Sequence, residues 1–148
     1  MREILFRGKC KRTGKWYEGY YYSLPAPLTC FSEGERKEDE HLIVFENPHC
    51  VPDWNMPREM VQASVLPETV GQYTGLTDKD GNKIFEGDIL AWHSCEDNTD
   101  ELSFVIFDED RCGYVQAWEG SDFKEKIIAE NLRVIGNIHD NPELLKGE

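Results

Sequence analysis

The sequence predicts a mainly β fold of antiparallel strands with a short C-terminal helix. Three observations carry that prediction. Runs rich in β-branched and aromatic residues are separated by turns containing Gly, Asn and Asp. Prolines interrupt every long helical pattern before residue 67. Two stretches, FRGKCKRTGKWYEGYYY at 6–22 and YTGLTDKDGNKIFEGDIL at 73–90, also read as one hairpin written twice.

The first copy opens with Phe6-Arg7-Gly8, turns around Thr13-Gly14 and continues through Lys15-Trp16-Tyr17-Glu18-Gly19 into the strand-like YYYSL. The second opens with Tyr73-Thr74-Gly75 and turns at Asp80-Gly81-Asn82, where the Asp-Gly step supplies positive φ for a hairpin. It then runs through Lys83-Ile84-Phe85-Glu86-Gly87 into DILAWH. Gly19 and Gly87 are expected where a strand begins or bulges and a Cβ would deny the backbone its freedom. Glu18 and Glu86, just before them, are expected to bond nearby backbone amides rather than to serve as catalytic carboxylates.

HLIVFE (41–46) is the next strand of the first half, and the proline-bearing ENPHCVPDWNMPRE (46–59) predicts an irregular excursion. In EGDILAWHS, alternation sets Ile89, Ala91 and His93 on one face and Leu90, Trp92 and Ser94 on the other. LSFVIFDEDRCGYVQAWEG reads as two strands around a DEDRCG turn. SDFKEKIIAENL fits either a helix or a strand at Lys126–Ala129. TVGQY (69–73) is echoed by VIGNI (134–138), a Gly-containing strand closing each half. Pro142 after Asn141 suits the first position of a short helix. The chain is expected to be a single domain with similar halves at 1–72 and 73–148, forming one β unit or two.

Of 148 residues, 39% are hydrophobic and 11% aromatic, enough for a core. The net charge of −13 is uneven, because residues 1–15 hold six basic side chains and one acid. Such a surface repels phosphate backbones, which argues against a nucleic-acid partner. The acidic clusters at 33–40, 96–101 and 108–110 read as solvated loops and hairpin tips, or as a face that docks a basic partner. No apolar run reaches the length of a membrane span, and MREILFRGKCKRTG lacks the apolar stretch of a secretory signal. A soluble cytosolic protein, with no membrane partner, is expected. Cysteines at 10, 30, 50, 95 and 112 are odd in number and form no C-x-x-C pair, which fits reduced thiols.

The start REILFRGK…TGKWYEGYYY, the middle ETVGQYTGLTDKDGNKIFEGDIL and the end VIGNIHDNPELL together resemble the YopX family of phage and prophage proteins. The resemblance covers about residues 2–145, with variable filler at 23–65 and 93–130. Its most specific part is Val70-Gly71-Gln72-Tyr73-Thr74-Gly75-Leu76, Asp78, Gly81 and Phe85-Glu86-Gly87-Asp88-Ile89. Phe85 stands where the family leads one to expect tyrosine. The resemblance implies an SH3-like barrel, a phage or integrated-element origin and a homo-oligomer. It implies no reaction, cofactor or catalytic residue. The motif residues Glu18, Gly19, Gly71, Gly75, Gly81, Glu86, Gly87, Asp88, Gly136, Asn137, Asp140, Asn141 and Pro142 are expected to be structural, with Asp88 capping a turn.

Candidate chemistry is sparse. His49, Cys50, His93 and Cys95 are the right ligand types for tetrahedral zinc, but neither pair has the usual two-to-four-residue spacing, so no metal is expected. In NIHDNPELL, Asp140 or Asn141 is expected to cap a helix, which accounts for His139-Asp140 without a hard-metal or base role. No nucleophile elbow or phosphate-binding loop is present. Trp16, Tyr17, Tyr20 and Tyr22, near the basic N-terminus, are candidate binding residues; half of this aromatic group should be core and the rest an oligomer contact. The leading expectation is a non-enzymatic module acting on a host or phage protein. The alternatives are a single-stranded nucleic-acid binder using those aromatics and a metal-dependent enzyme.

Overall fold

The structure is a computed structural model that describes residues 1–26, 38–49, 58–94 and 98–146. Two compact units emerge: Ile4–Val70, and Met1–Glu3 with Gly71–Glu148. Nearly all regular structure in both is antiparallel β.

In the unit Ile4–Val70, β1 (Phe6–Lys9), β2 (Trp16–Leu24), β3 (Glu40–Glu46) and β4 (Met60–Ser64) form a meander in chain order. Alternation of side chains along each strand sets its two faces. On one face Ile43 lies between Tyr21 and Ala63 and is fully buried. Tyr17 stacks on Phe45 with ring centroids 4.8 Å apart. Tyr21 packs between Phe6 and His41, its hydroxyl 2.6 Å from His41 Nδ1. Val65 bridges Cys10 and is fully buried. A 3-10 turn at Pro67–Thr69 then closes the unit: Thr69 Oγ1 accepts the Lys9 N–H at 2.9 Å and donates to the Leu66 carbonyl at 2.7 Å.

In the other unit, β5 (Gly71–Thr77) and β6 (Lys83–Phe85) form the second hairpin. β7 (Asp88–Ser94), β8 (Thr99–Asp108), β9 (Gly113–Ala117) and β10 (Lys124–Lys126) make a second meander. A 3-10 turn at Ala129–Asn131 then brings β11 (Leu132–Asn137) back beside β7, giving the order β10-β9-β8-β7-β11. Its core is Ile84, Leu90, Val105, Ile127 and Leu132, flanked by Tyr114 and Val134.

Three expectations are corrected here. The five strands form an open sheet rather than a closed barrel, because both of its edges are engaged otherwise. The outer edge of β11 bonds to the β5–β6 turn: Lys79 N–H donates to the Leu132 carbonyl (3.1 Å) and Val134 N–H to Asp78 Oδ2 (3.0 Å). β10 is only three residues long, and Arg111 Nη1 donates to its Lys124 carbonyl at 3.1 Å. The expected C-terminal helix is a single 3-10 turn, Pro142–Leu144, closed by i→i+3 bonds such as Leu144 N–H to the Asn141 carbonyl. One such turn does not repay the cost of nucleating an α-helix. The ambiguous 121–132 segment is a strand at Lys124–Lys126 followed by a 3-10 turn, so the strand lies earlier than residues 126–129.

The repeated phrase does form two hairpins, and they part company at the second glycine. Gly19 lies inside β2, opposite Phe6, with no bulge and no positive φ. Gly87 sits in the turn between β6 and β7 at φ 81°, where an L side chain is strained. Asp88 holds that turn through Oδ2, which accepts the Phe85 N–H at 2.8 Å. The chain therefore runs straight on in β2, but leaves β6 for a new sheet at β7.

Candidate functional site

Register fixes which side chains meet on the five-stranded sheet. Leu132, Trp92 and Glu101 form one row across β11, β7 and β8. Val134, Leu90 and Ser103 form the next. Gln116 on β9 pairs with Val105 on one side and with Glu125 on the other. The face carrying the core residues Leu90, Val105 and Leu132 thus continues to Trp92, Glu101 and Glu125.

There the side chains leave a concavity of about 580 Å³, within the span of small-ligand pockets, roughly 300–1,000 Å³. Trp92 enters from β7 and is 46% exposed. Trp118 and Phe123 form a ring pair with centroids 5.5 Å apart. Ile128 and Asn131 line it from the segment before β11. Two polar side chains, Ser103 and Gln116, are buried at the pocket, where the Ser103 hydroxyl donates to Gln116 Oε1 at 3.4 Å. Glu101 and Glu125 add two carboxylates, and no cationic side chain lines the pocket among the described residues. Exposed rings beside unneutralised carboxylates attract cations and planar donors.

None of these pocket residues stands out as a functional signal in the sequence. The period-2 pattern puts Trp92 on the face of Leu90, and AWEGSDF places Trp118 and Phe123 on either side of a turn. Their meeting with Glu101 and Leu132 depends on strand order, which no local pattern carries.

The residues singled out in the sequence lie elsewhere. Trp16 has the Arg7 guanidinium 5.0 Å from its ring centroid, and Tyr17 is stacked on Phe45 on the inner face. Tyr20 and Tyr22 are exposed on the opposite face of β2, so the four aromatics form no single platform. Glu18 is exposed and pairs in register with Arg7. Cys50 and Cys95 lie outside the described residues. His49 donates its N–H to Asn47 Oδ1 (3.0 Å), and His93 Nδ1 is 2.7 Å from Asp100 Oδ1 on the surface. Among the described residues no cluster of His, Cys, Asp and Glu is arranged to hold a metal.

The remaining motif residues lie in β5 and β11 and in the turns beside them. Glu86 is half-buried; burial pushes its carboxyl pKa up, partly offset by the Gln72 backbone, and its own N–H donates to the Gln72 carbonyl at 2.9 Å. Tyr114 donates to Gln72 Oε1 at 2.9 Å, and burial, then the Glu86 charge, push its phenol up. Gly71 and Gly75 lie in β5, with Gly71 hard against the Glu86 carbonyl, and Gly81 lies in the β5–β6 turn. At the C-terminal end the side chain that organises the turn is Asn137: its Oδ1 accepts the N–H groups of His139 (3.0 Å) and Asp140 (2.9 Å). Asn141 occupies the N-cap position before Pro142 without a side-chain cap bond; it packs instead against Gly136, where a Cβ would lie 2.6 Å from its Oδ1.

Comparison with known proteins bears on family and fold. The family described as YopX protein matches residues 5–146. Among solved structures, the crystal structure of protein EF1440 from Enterococcus faecalis is similar at 21% sequence identity and a TM-score of 0.52, covering 98% of this chain and 99% of that one. At that identity the likeness is one of fold. No curated protein matches the chain.

Proposed function

The chain belongs to the YopX family, and from that premise we propose that it is a non-enzymatic phage or prophage accessory protein of the bacterial cytosol that binds a partner protein. The observation that carries this reading is the aromatic and acidic pocket at the end of the five-stranded sheet. Monomeric surfaces seldom gather large exposed apolar side chains around one concavity without an occupant. Here Trp92, Phe123 and Ile128 do so. We read the sheet as an opened SH3-like one, supported by its four-strand meander and a fifth strand that returns beside the first after a 3-10 turn. No helix among the described residues is long and apolar enough to cross a membrane.

The test is capture from a bacterial lysate with wild-type bait beside Trp92→Ala. Wild type is expected to retain one protein at moderate salt, and Trp92→Ala to lose it by about tenfold or more, as for an interface hot spot. Equal retention by both baits, with unchanged melting curves, overturns the reading. Nucleic acid held at low salt and shed at moderate salt transfers the weight to nucleic-acid binding.

A second surface favours self-association. Tyr20, Tyr22 and Leu24 form an exposed apolar row on β2, an arrangement suited to a homo-oligomer contact. Light scattering of wild type and a Tyr20→Ser/Tyr22→Ser double variant is expected to show an oligomer dissociating to monomer. A wild-type monomer removes this reading.

A further inference from the structure

We propose that the occupant of the pocket is an arginine side chain carried on an extended segment of the partner protein. The inference rests on the interaction reading above and specifies its chemistry.

The charge balance of the pocket is the first ground. Glu101 and Glu125 line it, and the nearby basic residues are directed away by strand alternation. Lys124 and Lys126 flank Glu125 but face the other side of β10, where Lys124 Nζ lies 3.4 Å from Asp108 Oδ2. Arg133 follows Leu132 on β11 and also faces away, its Nε 3.1 Å from Asp80 Oδ2. Two carboxylates at one concavity without an internal cation favour a ligand that brings a positive charge and disfavour phosphates and carboxylates.

The second ground is shape. A guanidinium is planar and weakly hydrated, so it stacks on an indole or phenyl face while its edge donates to carboxylates. The pocket presents three ring systems, from Trp92, Trp118 and Phe123, beside those carboxylates. An ammonium could use the charge but not the stacking geometry.

The third ground points to a peptide rather than a free cation. The indole N–H of Trp118 is buried and has no hydrogen-bond acceptor among the described residues. Buried donors are normally satisfied. This one has almost no accessible surface, so binding requires the Trp118 ring to turn toward the occupant, where a backbone carbonyl beside the arginine becomes its acceptor. At about 580 Å³ the pocket has room for the side chain and adjoining backbone.

The experiment titrates the ¹⁵N-labelled full chain with a blocked pentapeptide bearing one central arginine between glycines and serines. Matched peptides carry citrulline or lysine at the centre. Citrulline keeps the shape and removes the charge. The arginine peptide is expected to shift the indole N–H signals of Trp92 and Trp118 saturably in the millimolar range. Citrulline should bind about tenfold more weakly or not at all, and lysine more weakly than arginine. A Glu101→Gln/Glu125→Gln variant, both sites exposed and therefore safe for folding, should lose about tenfold in arginine affinity and most of its salt dependence. Equal binding of citrulline, preference for lysine, or no shift with any peptide overturns the inference. Those results leave the interaction reading standing if Trp92→Ala still abolishes partner capture, whereas capture unaffected by Trp92→Ala removes that reading itself.

Discussion

Asp78→Ala is expected to lower the stability of the unit containing the five-stranded sheet by about 3 kcal/mol, read as a lower urea midpoint with an unchanged m-value. The carboxylate is buried and accepts four hydrogen bonds. Oδ1 takes the N–H groups of Asp80 (2.9 Å) and Asn82 (2.8 Å), and Oδ2 takes the Asn82 side-chain amide (3.1 Å) and the Val134 N–H (3.0 Å). It therefore closes the β5–β6 turn and fastens that turn to the free edge of β11. Alanine leaves these donors without their acceptor, each costing about 1–3 kcal/mol if it stays dry. The total is smaller because the exposed turn can rehydrate some of them. A loss below about 0.5 kcal/mol, the range of an ordinary surface substitution, would sink this account.

The same residue sets a pH dependence. Burial alone would raise its pKa, but the Val134 N–H, the Asn82 side chain and backbone, and the Asp80 N–H outweigh burial and hold it below the ordinary 3.8. A carboxyl whose pKa is lower folded than unfolded stabilises fully above the unfolded value of about 3.9 and loses that contribution as pH falls through the folded one. Asp78→Asn should therefore differ from wild type at neutral pH, begin to converge on it as pH falls below about 4, and meet it only below the lowered folded pKa. Asp108 shifts in the same direction, where the Arg111 and Asp110 N–H groups and Lys124 outweigh burial. It is present in both proteins and so cancels in the comparison. Glu86 has the opposite sign: its raised pKa favours the protonated form, a contribution lost as pH rises through the folded value.

Gly19→Ala is the second large effect. A Cβ there would lie 2.2 Å from the Val44 carbonyl oxygen and 2.9 Å from its carbon. Both are backbone atoms of β3, so relief requires prying β3 from β2, over the fully buried Ile43. A loss of about 3 kcal/mol or more is expected. Gly87→Ala meets nothing closer than 3.5 Å and should cost only the left-handed backbone penalty of about 1–2 kcal/mol. Paired thermal melts check the order. Equal losses would mean that the two glycines serve one purpose after all.

That pair marks how far the sequence could be read. Glu18-Gly19 and Glu86-Gly87 are the same dipeptide in the same hairpin context, and a glycine requirement was legible at both. Its cause was not, since close approach by Val44 depends on β3 and positive φ at Gly87 depends on β7 leaving the hairpin. Asn137 tells the same story against Asp140 and Asn141: all three are good capping types, and only the backbone path decides which oxygen reaches two free N–H groups.

Most strands, the hairpin turns and the family were determined by the sequence itself, because side-chain alternation, Asp-Gly turn chemistry and motif order are properties of neighbouring residues; β4 and the position of β10 were not. The tertiary structure alone decided that the sheet stays open and that its far end holds a pocket. Those features arise where β11 returns beside β7 and sets Leu132 opposite Trp92, and where Asp78 occupies the β11 edge that closure would have needed. Pairing between distant strands is chosen by the summed burial of whole faces, so the residues that meet at the pocket carry no local mark of it.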